Sequence, residues 1–166
     1  VGSMPPDQFA FAVKLILGIE GPDSDNAETD PDGGLTRFGI SQTQNPNLDV
    51  ASLTVDEATE YYQHNYWSQT CCDQLPWPIG VLVFDSAVNQ GDGTAERLLQ
   101  AALGVDVDGI IGPATLAAAH NADAWDLAAR YSAKRALAYT QAKEWRQDGE
   151  GWIYRVARVL LACARA

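Results

Sequence analysis

The chain has 166 residues, enough for one domain with a substantial core, and 46% of them are hydrophobic. With 11 Lys and Arg against 22 Asp and Glu its net charge is −11, so it lacks the basic footprint that nucleic-acid binding requires and would be repelled at long range by an anionic polymer. No run reaches the ~18–20 apolar residues of a membrane-spanning helix, no basic stretch leads into an apolar one as in a signal peptide, and the three cysteines have neither disulfide-framework nor zinc-site spacing.

Val1-Gly2-Ser3-Met4 reads as a scar of tag removal, leaving a single domain over 5–166. Asp7 is placed to cap a first helix, with Phe9, Val13, Ile16 and Leu17 on one face. Gly21-Pro22 stops that helix near Glu20. The stretch from Asp23 to Leu35 is acidic and rich in Gly and Pro. It reads as a loop or small irregular hairpin turning at Asp32-Gly33-Gly34, with Thr36 to Ser41 as a short strand. Thr54 and Glu57 have capping-box spacing, and the helix they start runs through Tyr61, Tyr62, Tyr66 and Trp67.

Pro76-Trp77-Pro78 breaks the chain. Ile79 to Val88 is apolar nearly all round, as a central buried helix is, with Asp85 and Asn89 one turn apart on it. A helix through Leu98, Leu99, Ala102 and Leu103 stops at Gly104, and Pro113 suits the first turn of the next. Asp123 caps a long helix expected to reach about Arg146. A break at Gly149-Glu150-Gly151 then precedes a last amphipathic helix carrying Trp152, Val156, Val159, Leu160 and Cys163. The cations crowded into the last quarter (Arg130, Lys134, Arg135, Arg155 and others) read as solvated helix faces. Cys71, Cys72 and Cys163 are expected as free thiols, with one bridge to Cys163 as the alternative.

Glu20 stands at the C-terminal end of an apolar helix, where the helix dipole disfavours a carboxylate. Partial burial would raise its pKa further, as a general acid for glycoside hydrolysis requires. A surface Glu beside a helix stop has the same local sequence. Downstream, Asp23, Asp25, Asp30, Asp32 and Thr36 offer a second group to hold a water across a cleft, at the roughly 6.5–9.5 Å that inversion needs. The same loop lacks the residue order of a calcium-binding hand. His64 and His120 have no partners for a triad or metal site, Ser41 lacks a nucleophile elbow, and Gly91-Asp92-Gly93 is no dinucleotide fingerprint. No cofactor or metal is expected.

Taken together, Glu20-Gly21, then Asp30-Pro31-Asp32-Gly33-Gly34-Leu35-Thr36-Arg37-Phe38-Gly39-Ile40-Ser41, resembles the signature of glycoside hydrolase family 108, phage and bacterial N-acetylmuramidases. The Tyr61 to Trp67 helix, Phe84-Asp85-Ser86-Ala87-Val88-Asn89-Gln90-Gly91, and the stretch from Leu99 to Leu116, similar to that family's peptidoglycan-binding region, extend the likeness from Phe9 to about Arg158. Pro22 replaces the family's second glycine and the loop has an extra Asp, so its loop carboxylate corresponds to Asp30 or Asp32; the spacing of Glu20, Asp30 and Thr36, similar to that in T-even phage lysozymes, favours Asp30.

The resemblance implies a mainly α (α+β) lysozyme-like fold: a small lobe with an irregular β-hairpin (5–75, catalytic) and a helical lobe around a buried central helix (76–166, with the peptidoglycan-binding-like region). It implies hydrolysis of the β-1,4 bond between N-acetylmuramic acid and N-acetylglucosamine, with Glu20 as acid and Asp30 and Thr36 positioning the water. Asp85, Asn89, Tyr66 and Trp67 are expected in the cleft wall, with the core as an equal alternative for Tyr66 and Trp67. The implied setting is a monomeric phage endolysin in the host bacterial cytoplasm before release to the wall, with peptidoglycan as its partner and neither nucleic acid nor membrane insertion. A non-catalytic peptidoglycan-binding module and an exported antibacterial effector are the alternatives.

Overall fold

The computed structural model describes residues 7–19, 28–29 and 34–166. Seven α-helices and a three-stranded antiparallel sheet are formed among them. Helix α1 (Gln8–Ile19) starts where the Asp7 carboxylate accepts from the Ala10 N–H at 2.9 Å. Its Ala12, Val13 and Ile16 are buried, and Phe9 and Leu17 pack against the core.

The sheet joins β1 (Glu28–Thr29), β2 (Leu35–Arg37) and β3 (Ile40–Ser41), in that order. Glu28 pairs with Thr36, Thr29 with Leu35, Thr36 with Ser41 and Arg37 with Ile40. The turn expected at 32–34 lies mostly outside the described residues. The single strand expected over Thr36 to Ser41 is instead a second hairpin. Phe38 and Gly39 both have positive φ, 53° and 76°, the backbone of a tight two-residue turn. Holding a non-glycine residue there costs about 1–3 kcal/mol. Burial of the Phe38 ring offsets that cost, and its carbonyl accepts from the Tyr62 hydroxyl at 2.8 Å.

Helix α2 (Val55–Tyr62) opens on the expected capping box: Thr54 Oγ1 accepts from Glu57 N–H, and the Glu57 carboxylate accepts from Thr54 N–H at 2.8 Å. It widens into a π-type turn over Gln63–Trp67. Helix α3 (Ile79–Gln90) is the centre of the molecule: every residue from Ile79 to Ala87 is buried. Helices α1, α4 (Asp92–Leu103), α6 (Ala124–Tyr139) and α7 (Trp145–Arg165) pack around it. Each apolar side chain buried there is worth roughly 1.5–3 kcal/mol.

Gly104 ends α4 at φ 73°, and Pro113 opens α5 (Pro113–Asn121). Buried Gln100 ties the intervening loop down. Its amide nitrogen donates to the Asp108 carboxylate and the Ile110 carbonyl, at 2.6 and 3.0 Å, and its oxygen accepts from Gly109 N–H at 2.8 Å. Asp123 caps α6, accepting from the N–H groups of Trp125 and Asp126.

The last break is elsewhere than the sequence suggests. Helix α6 ends at Tyr139 rather than near Arg146, and α7 runs through Gly149-Glu150-Gly151 without interruption. The reason is packing: the Trp145 indole lies on the helix backbone at Gly149, where a Cβ would come within 2.6 Å of the ring. All three cysteines are free thiols.

Candidate active site

Glu20, Asp30 and the alternative Asp32 lie outside the described residues. Helix α1 runs to Ile19, the residue immediately before Glu20. Thr36 is described: it is the middle residue of β2, paired on both sides within the sheet. Its hydroxyl oxygen is buried and has no hydrogen-bond partner among the described residues. A buried hydroxyl left unsatisfied costs about 1–3 kcal/mol, and such groups recur where a water or ligand completes the set.

The four residues expected in a cleft wall separate into two kinds. Tyr66 is half-buried on the π-type turn, its ring 6.2 Å from that of Tyr61 and 5.9 Å from that of Tyr62. Burial pushes its hydroxyl up to about 12, so it stays protonated and able to donate. Asn89 is exposed at the last turn of α3. Trp67, by contrast, is only 5% exposed and is wedged between Phe9 and Phe84, each 5.4 Å away. Asp85 is 2% exposed. The structure brings neither Trp67 nor Asp85 to a surface: of the two places open to Trp67 it takes the core, and the wall expected of Asp85 is corrected to ion pairing.

Asp85 is the hub of a buried charge cluster. Arg135 Nη1 donates to its Oδ2 at 2.5 Å, and Arg155 Nε donates to its Oδ1 at 3.0 Å. Arg135 is 1% exposed. It also donates to the Gln90 side-chain oxygen Oε1 and the Tyr139 hydroxyl, each at 3.1 Å, and that hydroxyl donates to Asn89 Oδ1. Burial opposes the Arg135 charge, but Asp85 and Tyr139 outweigh it, and its pKa stands above the ordinary arginine value. Arg135 and Arg155 are therefore not solvated cations, as the crowding of basic residues suggested. The clue was Asp85 itself: a carboxylate on an otherwise apolar helix must find buried countercharge.

Among the described residues, no group of three His, Cys, Asp or Glu side chains is placed to hold a metal ion, and no helix is long and apolar enough to cross a membrane.

Comparison with known proteins reads the chain in two consecutive parts. Residues 13–91 match the family described as Glycosyl hydrolase 108, and residues 94–157 match the one described as Predicted Peptidoglycan domain. The chain carries a glycosyl hydrolase 108 domain. This glycoside hydrolase is also similar to a solved structure, SagA of Brucella abortus, with 29% sequence identity and a TM-score of 0.83, covering 95% of this chain and 94% of that one. A comparison with curated proteins finds no match. The hydrolase is thus a lysozyme-like, mainly helical protein with a small sheet, built to act on peptidoglycan.

Proposed function

We propose that the hydrolase is an N-acetylmuramidase that cuts the β-1,4 bond between N-acetylmuramic acid and N-acetylglucosamine in peptidoglycan, with inversion. Glu20 gives its proton to the glycosidic oxygen as the bond to the anomeric carbon breaks. A water held by Asp30 and Thr36 attacks that carbon from the opposite face, and its proton passes to Asp30. The observation that carries this reading is the buried Thr36 hydroxyl, without a hydrogen-bond partner among the described residues, within the segment matched to the glycoside hydrolase family. That segment also spans Glu20 and Asp30. Helix α1 leads up to Glu20, and the Gly21-Pro22 pair that follows it in the sequence favours a helix stop close by, where the negative end of the dipole favours a protonated carboxyl. A monomeric endolysin released onto the wall from the host cytoplasm is the setting this chemistry suits.

Reducing ends released from purified peptidoglycan test the assignment. Glu20→Gln, matched to wild type by circular dichroism, is expected to lower release by at least about 10²–10⁴-fold. Thr36→Val is expected to lower it about 10²-fold while Thr36→Ser retains most of it. Asp30→Asn should be far more damaging than Asp32→Asn. Full activity in Glu20→Gln would remove the general acid from the scheme.

A further inference from the structure

Where α3 gives way to α4, a recess of about 320 Å³ opens beside the Asp85 cluster, between Asn89, Gln90 and Thr94 on one side and Tyr139 and Trp152 on the other. That volume is at the lower end of the ~300–1,000 Å³ found for ligand pockets. Tyr139 and Trp152 are stacked, with ring centroids 4.9 Å apart and planes 24° from parallel. Tyr139 is itself buried, so the half-buried indole of Trp152 supplies the aromatic surface of the recess.

The cluster fixes which way both amides point. Arginine only donates, so the bond from Arg135 Nε turns the oxygen of Gln90 inward, where Ser86 Oγ also donates to it. The Tyr139 hydroxyl accepts from Arg135 and so directs its own hydrogen to Asn89 Oδ1, turning that oxygen inward too. Neither amide nitrogen is engaged by any described residue. The recess therefore presents amide N–H donors beside an aromatic surface. Behind it lies the Asp85 carboxylate with the Arg135 and Arg155 guanidinium groups, which hold these side chains in place.

We propose that this recess is a subsite for an N-acetylated amino sugar of the glycan strand: the carbohydrate C–H face lies on Trp152, and acetamido or hydroxyl oxygens accept from Asn89 and Gln90. The choice of glycan as occupant rests on the glycan-cutting reading above. The recess also joins the two matched parts of the chain, since Asn89 and Gln90 belong to the first and Thr94, Tyr139 and Trp152 to the second.

The test is a titration of the Glu20→Gln protein with the N-acetylglucosamine tetramer, followed by the indole N–H resonance of Trp152 and by calorimetry. Asn89→Asp and Gln90→Glu keep the inward oxygens and remove the outward N–H donors. Each is expected to weaken binding roughly tenfold without lowering the melting temperature, while a residue with a merely structural role would move the melting temperature and leave the dissociation constant alone. Absence of tetramer binding, an unshifted Trp152 resonance, or variants that bind as well as the parent would each overturn the subsite. Wall hydrolysis by the wild type is measured in parallel. Cutting with unaffected variant binding removes the subsite alone. Loss of binding in the variants without any cutting by the wild type upholds the subsite and removes the muramidase reading.

Discussion

Asp85 shows how one residue ties the core of the molecule to the recess beside it. Its carboxylate is buried against Arg135 and Arg155, and through Arg135 it sets the positions of Tyr139, Asn89 and Gln90. Asp85→Asn has nearly the same shape but removes the carboxylate that buried Arg135 pairs with and one ion-pair partner of Arg155. It is expected to cost about 3–5 kcal/mol in urea unfolding; a loss below ~1 kcal/mol would mean that the cluster is far better solvated than its burial indicates. A second residue-scale prediction concerns acid. Hydrogen bonds from the Thr54 backbone and side chain hold the Glu57 pKa below its ordinary 4.5. The stabilisation from that lowered pKa is full above the ordinary value and disappears as pH falls through the lowered one. Thr54→Ala should therefore lower the melting temperature by about 2–4 °C at pH 7, and the gap should narrow below pH 4.5. A gap that stays constant with pH would show that Glu57 does not contribute through its charge. Residues with local chemistry were legible in the sequence: Thr54, Asp123 and Asp7 as caps, Gly104 as a stop. The partners of Asp85 were not, because they come from helices 50 and 70 residues further along the chain.

Among the elements, α7 separates helix propensity from packing most cleanly. It contains Gly149 and Gly151, and propensity alone marks that stretch as a break. At Gly149 a Cβ would meet the Trp145 ring at 2.6 Å, whereas at Gly151 nothing lies within 4 Å. Gly151→Ala should therefore stabilise the protein by roughly 0.5–1 kcal/mol, and Gly149→Ala should destabilise it by about 1–3 kcal/mol despite the better helix former. Equal effects in denaturant titrations would contradict the close packing of Trp145 on the backbone. The hairpin at Phe38-Gly39 was hidden for a related reason. Its turn puts a phenylalanine at positive φ, a choice made by the burial of that ring and by Tyr62 rather than by turn propensity. Apart from the stop expected at Gly21-Pro22, which lies outside the described residues, helix ends set by capping side chains, Gly or Pro were read correctly. Those whose limits depend on distant packing were displaced, as α6 and α7 were.

At the level of the whole molecule, the sequence pattern led to a mainly helical, lysozyme-like hydrolase, and the fold, both family matches and the likeness to SagA agree with it. The central helix was legible because only a helix buried on every side can be apolar all round. The candidate site was less so. Of its three proposed catalytic residues only Thr36 is described, and the recess beside Trp152 is assembled from helices whose mutual placement no local pattern encodes. A net charge of −11 sets this molecule against the repulsion of an anionic wall, which makes short-range recognition of the glycan the more important. The claim on which everything turns is the bond that is cut. Purified peptidoglycan digested with the hydrolase, reduced with borohydride and broken down to its sugars reports that bond directly. The account predicts that the new reducing-end alcohol is muramitol, absent when Glu20→Gln replaces the wild type. Glucosaminitol as the only new product, or no new sugar alcohol from walls of several chemotypes, would contradict it.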